Sequence, residues 1–256
     1  MIKKIFKYVV FELIRSRIVW AYAVFLLLST LGLFYLGQNS SKTVISILNI
    51  ILFIIPLVSI IFGTIHLYNS KEFIEFLLTQ PVDRKTVYWS EYFGLACVFS
   101  FVFTICTGIP VLIFNFSFTS IYLITSGIIL TFVFISLAFL SSVINNDKVK
   151  GIGLSIILWL YFAIIFDGLI MSVFYLFRDY PLEKIIIFLT SLNPVDLSRV
   201  MVILQTDVSA MMGFSGATIQ NYMGSFTGKV YAFAILILWI LIPSYISYKI
   251  FSRKNF

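Results

Sequence analysis

The longest break in hydrophobicity in the first half of this chain is HLYNSKEFIEFLLTQPVDRKTVYWSEYFG, residues 66–94. Apolar runs long enough to cross a bilayer flank it on both sides. Its segment KEFIEF carries two carboxylates beside an apolar face, which predicts a short amphipathic helix. Pro81 cannot continue that helix, so we expect a turn at residues 80–83 and a second short helix, Arg84 to Glu91. A charged, structured insertion between two spans is suited to binding another protein at the membrane surface.

The composition around this stretch is that of an integral membrane protein. Of the 256 residues, 61% are hydrophobic and only 11% are charged, which is not typical of a soluble domain. Six continuous apolar runs each reach the about 20 residues that a membrane-crossing helix needs. They are residues 18–37, 44–68, 91–114, 119–144, 151–177 and 229–250. Continuous runs favour helices over a β-barrel, so the expected fold is a single all-α transmembrane domain, residues 1–256.

The distribution of cations predicts the orientation. With the N-terminus inside, thirteen of the eighteen Lys and Arg residues lie on the cytoplasmic side and five lie outside. The positive-inside rule therefore places both termini in the cytoplasm. The formal net charge of +7 is mostly this orientation signal, and we expect no nucleic-acid partner.

Residues 2–17, IKKIFKYVVFELIRSR, precede the first span and alternate at helical spacing between apolar and basic positions. Such a segment is typical of an interfacial helix, whose cations reach the lipid headgroups. No cleavage site of small residues follows the first span, so we expect this segment to be retained rather than removed as a signal peptide.

Two ionisable residues lie at or within the spans. Asp167 is the carboxylate placed well inside the fifth span, where a charge is costly and suggests function. The alternative is an interhelical hydrogen bond, which is favoured because the sequence shows no second intramembrane charge for a relay. His66, at the cytoplasmic edge of the second span, is expected to form a hydrogen bond rather than to bind a ligand.

The segment between the fifth and sixth spans, residues 178–228, is expected to lie outside the cell and to be partly helical. Asn193 is suited to cap a helix in which Pro194 takes the first position and Asp196 lies in the first turn. Several methionines follow, among them Met201, Met211 and Met212. They favour either a path for Cu(I), which thioethers bind, or adaptable apolar packing, which is the commoner role.

No motif of a catalytic site is present. The stretch GSFTGKV, residues 224–230, differs from a phosphate-binding loop in its spacing and lacks the final Ser or Thr. The chain has one histidine and neither an HExxH nor a GxSxG motif. We therefore expect a non-catalytic subunit that holds neither cofactor nor metal, with any ATP hydrolysed by another subunit.

Taken together, an interfacial elbow helix at 2–17, six spans and the segment KEFIEFLLTQPVDRKTVYWSEYFG resemble the permeases of type-2 ABC exporters (ABC-2, or type V). Three later stretches resemble, more narrowly, the permease of the ABC complex that matures nitrous oxide reductase. These are GLSIILWLYFAIIFDGL (residues 153–169), LNPVDLSRVMVIL (residues 192–204) and SAMMGFSGA (residues 209–217).

This resemblance implies a homodimer in a bacterial inner membrane, bound to two cytoplasmic ABC ATPases and to a periplasmic β-helical protein. ATP and magnesium would belong to the ATPases, and copper to the periplasmic protein. The coupling segment, residues 69–88, would bind the ATPase, and the outer segment would face the periplasmic partner. The implied coupling residues are Glu72, Phe73, Glu75, Phe76, Leu77, Pro81 and Arg84. The implied outer residues are Asn193, Pro194, Asp196, Arg199, Met201, Met211 and Met212.

The resemblance leaves the cargo open. The complex either exports a sulfur species or transmits force from ATP hydrolysis to the periplasmic protein, and the scarcity of polar residues within the spans favours transmission. A second hypothesis is an ABC-2 exporter of a lipid, glycan, peptide or drug-like cargo. A third is a membrane sensor or immunity protein, which has no evident need for the amphipathic insertion.

Overall fold

The computed structural model describes residues 2–37, 40–176, 183–205 and 226–254, and these residues form helices joined by short connections. The helices are α1 (Ile2–Ile14), α2 (Arg17–Leu36), α3 (Ser40–Asn69), α4 (Lys71–Leu78), α5 (Arg84–Phe103), α6 (Ile109–Phe114), α7 (Phe118–Ile144), α8 (Lys148–Leu160), α9 (Phe166–Leu176), α10 (Glu183–Ser191), α11 (Pro194–Ile203) and α12 (Phe226–Arg253). No strand occurs within these ranges.

Six helical segments of the described chain are long and apolar enough to cross a membrane, which confirms the prediction of an all-α fold with six spans. They are α2, α3, the continuous run from α5 to α6, α7, the run from α8 into α9, and α12. The predicted short helix from Arg84 to Glu91 is not separate. It is the first part of α5, which continues to Phe103, because neither Pro nor Gly interrupts the chain at Glu91.

Helix α7 lies at the centre of the bundle, between α3, α5 and α12. It is the most buried of the six spans, and small residues allow its neighbours to approach closely. A methyl group at Gly127 would overlap the ring of Phe103, and one at Gly63 would lie 2.8 Å from the Cβ of Ala138. Close helix packing therefore depends on glycine at both positions.

Two of the spans contain a π-helical turn, at Thr104–Gly108 between α5 and α6 and at Tyr161–Ile165 between α8 and α9. In the second turn the backbone N–H of Phe166 donates to the carbonyl of Tyr161. The carbonyl of Phe162 thereby loses its usual donor four residues later and can accept a bond from elsewhere. This turn positions one part of the site described below.

The N-terminal helix α1 packs along the first half of α5. The two helices approach closely at Gly94, where a Cβ would lie 2.7 Å from Cγ1 of Val9. The apolar residues Ile5, Val9 and Leu13 are buried, whereas the cations of this helix are exposed. Helix α1 is thus amphipathic, as its sequence predicts, and its apolar face is covered by the bundle.

Candidate functional site

The end of the molecule that carries α4 presents a small helix with one buried and one open face. Ile74 and Leu77 point into the bundle, with 1% and 8% of their surface exposed. Phe76 is 60% exposed and Glu72 is exposed beside it. Glu75 forms an ion pair with Lys71 at 3.6 Å, which fits a solvated helix face. An exposed aromatic ring next to a carboxylate is suited to contact a partner.

Helix α4 is held by the elements around it. One residue, Ser70, separates it from α3. The ring of Phe73 stacks on Tyr8 of α1, with centroids 4.7 Å apart. Pro81 is exposed in the turn that follows. The predicted residues from Glu72 to Pro81 therefore lie together on one segment, within which Leu77 packs inward.

Arg84 occupies a different environment from the rest of the predicted coupling residues. Its guanidinium donates two hydrogen bonds, to the carbonyls of Ser252 at 2.9 Å and Lys254 at 2.8 Å. A cation that binds the last carbonyls of a helix is stabilised by the negative end of the helix dipole. Arg84 therefore joins the start of α5 to the end of α12, and the same side chain is less available to a partner.

Behind α4 lies a buried polar pair that the sequence analysis did not identify. Nε2 of His66 lies 3.1 Å from Oε2 of Glu91, and Oγ of Ser70 lies 3.5 Å from the same nitrogen. Glu91 is only 1% exposed. The expected hydrogen-bonding role of His66 is confirmed, but its partner Glu91 is a buried carboxylate that the sequence analysis did not single out. The sequence signal that could have indicated its burial is its place between Tyr88 and Tyr92, two turns after the start of α5 at Arg84.

The opposite end of the molecule contains a polar cluster centred on Asn193. As predicted, the Oδ1 atom of this residue accepts from the N–H of Val195 and caps α11. Its Nδ2 atom donates to the freed carbonyl of Phe162 and to Oδ2 of Asp196, both at 2.8 Å. Asn193 therefore uses both ends of its amide to fix α11 against the π-helical turn of the fifth span.

Arg199 completes the cluster by binding two carboxylates from different helices. Its Nη1 lies 2.9 Å from Oδ2 of Asp167 and 3.0 Å from Oδ1 of Asp196. Asp167 thus forms the interhelical hydrogen bond that the sequence analysis favoured, but its partner is a cation, so the expectation that no second charge accompanies it is wrong. The sequence could not show this because Arg199 lies 32 residues away on a helix assigned to the outer segment.

Burial is the main cause that raises the pKa of Asp196 to about 7, and its hydrogen bond with Asp167 acts in the same direction. The charge of Arg199 and the bond from Asn193 oppose this rise. The carboxyl group is therefore balanced between its two protonation states near neutral pH.

The residues predicted to face an outer partner fall into three groups. Asn193, Pro194, Asp196 and Met201 are buried inside the bundle, because α11 packs into it between α7 and α12. Arg199 is partly exposed. Met211 and Met212 lie outside the described residues. The structure gives the first group a packing and positioning role, while contact with an outer partner stays a prediction.

In the part of the chain that the structure describes, no group of three or more His, Cys, Asp or Glu side chains is placed to hold a metal ion. The described chain is a bundle of apolar helices. The amphipathic helix α4 leaves one face exposed, and α11 is fixed to the fifth span through Asn193. The model of the ABC-2 transporter family matches residues 38–256, and the chain belongs to that family.

Two curated relatives match this chain in sequence over most of their length. One is a probable ABC transporter permease protein NosY of Stutzerimonas stutzeri, 23% identical over 266 residues that cover 94% of each chain. Another is the protein of the same name from Pseudomonas aeruginosa, 21% identical over 221 residues that cover 78% of this chain and 80% of the relative. The chain is thus a multi-pass membrane protein and an ABC-2 permease subunit.

Proposed function

We propose that this chain is the permease subunit of an ABC complex that matures the copper sites of nitrous oxide reductase. In this proposal it forms a homodimer in a bacterial inner membrane, with both termini in the cytoplasm. It couples two cytoplasmic ATPases to a periplasmic copper-binding protein. The observation that carries the proposal is the similarity to the NosY permease of Stutzerimonas stutzeri along 94% of the chain. Copper and ATP belong to the partners, not to this chain.

The cytoplasmic contact in this proposal is the open face of α4. Glu72 and Phe76 are available there, while Ile74 and Leu77 hold the helix on the bundle. A push on α4 would reach α3 through the single residue between them. It would reach α5 through the pair of His66 and Glu91. The docking helix is therefore attached to two spans rather than to a loose loop.

From α5 the contacts continue to the central and last spans. Tyr88 donates to the carbonyl of Ser244 on α12, at 3.0 Å, and Tyr92 donates to the carbonyl of Phe132 on α7, at 3.1 Å. In the middle of α12, Trp239 donates to the carbonyl of Ser191, at the end of α10 and two residues before Asn193, the cap of α11. A continuous set of bonded helices thus links α4 with α11, which supports transmission of force as the mode of action.

The test is co-purification of the tagged chain from membranes of cells that carry its own operon, with partners identified by mass. The proposal expects an ABC ATPase together with a periplasmic copper-binding β-helical protein. Recovery of the ATPase without the periplasmic protein would overturn the maturation role and leave a general exporter. Recovery of neither would contradict the assignment of α4 as a coupling helix. A Glu72→Lys variant serves as the control, since it should lose the ATPase while staying in the membrane.

A further inference from the structure

An apolar groove of about 480 Å³ opens between α1, α2 and the run from α5 into its π-helical turn. Its lining is apolar apart from the thiols of Cys97 and Cys106. The volume is within the range of about 300–1,000 Å³ that small-molecule sites occupy. Water does not fill such an apolar space favourably, so the lining favours an apolar occupant.

The dimensions of the groove fit one hydrocarbon chain. Along α5 and its π-helical turn the lining runs from Cys97 to Cys106, which is about 14 Å at about 1.5 Å per residue. One leaflet of a bilayer has a hydrocarbon depth of about 15 Å. Along α1, Phe6, Val10 and Ile14 recur at four-residue spacing and so form one continuous wall.

The rim of the groove carries positive charge. Five cations, Lys3, Lys4, Lys7, Arg15 and Arg17, are exposed on and directly after α1, against one carboxylate, Glu12. None of the five forms a salt bridge with a carboxylate of the described chain. Arg15 and Arg17 lie where α1 ends and α2 begins, between the lining residues Ile14 and Val19, so both belong to the chain segment at this end of the groove.

Trp20 marks the boundary between the two environments. Its ring lines the groove, and its Nε1 donates to the carbonyl of Ile14 at the end of α1. Tryptophan is enriched where hydrocarbon meets the polar headgroup region. The cations, the indole of Trp20 and the apolar lining follow one another. A ligand with an anionic head group and an apolar tail matches this arrangement.

We propose that this groove binds one acyl chain of an anionic phospholipid, whose phosphate is held by the exposed cations Arg15 and Arg17. A bound lipid would fill the space between α1, α2 and α5 and would stabilise the docking of α1. The proposal concerns a lipid that stays with the protein, distinct from the lipids that exchange around every span. It does not depend on the cargo or on the identity of the soluble partners.

The test uses quenching of Trp20 fluorescence in nanodiscs that contain the full chain and increasing fractions of a brominated lipid. Brominated phosphatidylglycerol is the anionic probe, and brominated phosphatidylcholine is the zwitterionic probe. The Trp20→Phe variant gives the signal of the other three tryptophans, and its subtraction isolates Trp20. We expect quenching by phosphatidylglycerol to saturate at a mole fraction several-fold lower than quenching by phosphatidylcholine.

A variant with Arg15→Gln and Arg17→Gln should lose this several-fold preference, since each cation near an anionic headgroup contributes attraction. The matched control carries Lys85→Gln and Lys150→Gln, two exposed cations on other helices, and should keep the preference. Ala23→Phe should fill the groove and reduce quenching by both probes. Equal quenching by the two lipids, or an equal loss in the control, would overturn the proposal. Efficient oxidative cross-linking of Cys97 between two copies would also overturn it, because a second copy would then cover the groove.

Discussion

His66 and Glu91 form a buried pair, with Nε2 of the histidine 3.1 Å from Oε2 of the glutamate, at the point where α3 passes into α4. Both side chains are at least 95% buried. The pair joins the second and third spans directly behind the helix that we propose as the ATPase contact. Because Oε1 of Glu91 has no hydrogen-bond partner in the described chain, the glutamate depends on this histidine.

Replacing His66 alone should therefore destabilise the bundle. His66→Phe leaves a buried carboxyl group without its partner, which costs about 1–3 kcal/mol of unfolding free energy. The double variant His66→Phe with Glu91→Leu removes both polar groups and should recover part of this loss. Thermal unfolding in detergent measures both effects. Additive losses in the double variant would contradict the pairing, because independent sites add.

The open face of α4 gives a second prediction. Phe76→Ala should weaken binding of the ATPase by about tenfold or more, as truncation of an exposed aromatic anchor does in other interfaces. Its unfolding temperature should hardly change, since surface substitutions usually stay within about 0.5 kcal/mol. Leu77→Ala is the matched variant, which should lower stability because the side chain is buried. Normal ATPase binding by Phe76→Ala would remove α4 from the interface.

The Asp196 carboxyl group predicts a dependence of stability on pH. Its pKa rises from 3.8 to about 7 on folding, so between these values the folded protein holds a proton that the unfolded chain has lost. Stability should therefore fall as the pH rises from about 4 to 7 and level off above that. Asp196→Asn should flatten this slope. Unfolding measured at pH 5, 6, 7 and 8 tests the difference, and an unchanged slope in the variant would contradict it.

Contact between Gly94 and Val9 gives a fourth prediction. Gly94→Ala would bring its methyl group within 2.7 Å of Cγ1 of Val9, so α1 must move away, at a cost of about 1–3 kcal/mol. Gly153→Ala is the matched control in another helix, where a Cβ meets nothing within 4 Å. Adding Val9→Ala to Gly94→Ala should restore part of the stability. Limited proteolysis near the N-terminus reports whether α1 has detached.

Much of the fold could be predicted from the sequence because the governing signals are local. Six apolar runs of sufficient length gave six spans, and the order Asn193, Pro194, Asp196 gave the cap of α11. The amphipathic pattern of α1 likewise follows from spacing alone. Each of these features depends on residues within a few turns of one another.

The features that the sequence analysis missed depend on tertiary contacts. Arg199 meets Asp167 only because α11 folds back into the bundle, which a count of hydrophobic residues does not reveal. For the same reason, Asn193 and Asp196 are buried, although a polar helix-capping sequence predicts that they are exposed at the surface. Glu91 follows a polar stretch, so its sequence context predicts an exposed side chain. It is buried because α5 continues past it into the bundle as one helix.

The most direct test of the proposed maturation role is the copper content of nitrous oxide reductase purified from the native host without the gene for this chain. We expect the reductase protein to be made but to lack copper, and the wild-type gene supplied in trans to restore it. The Phe76→Ala variant should fail to restore copper at normal membrane levels, whereas the control Glu12→Lys on α1 should succeed. A fully copper-loaded reductase in the deletion strain would contradict the proposed function.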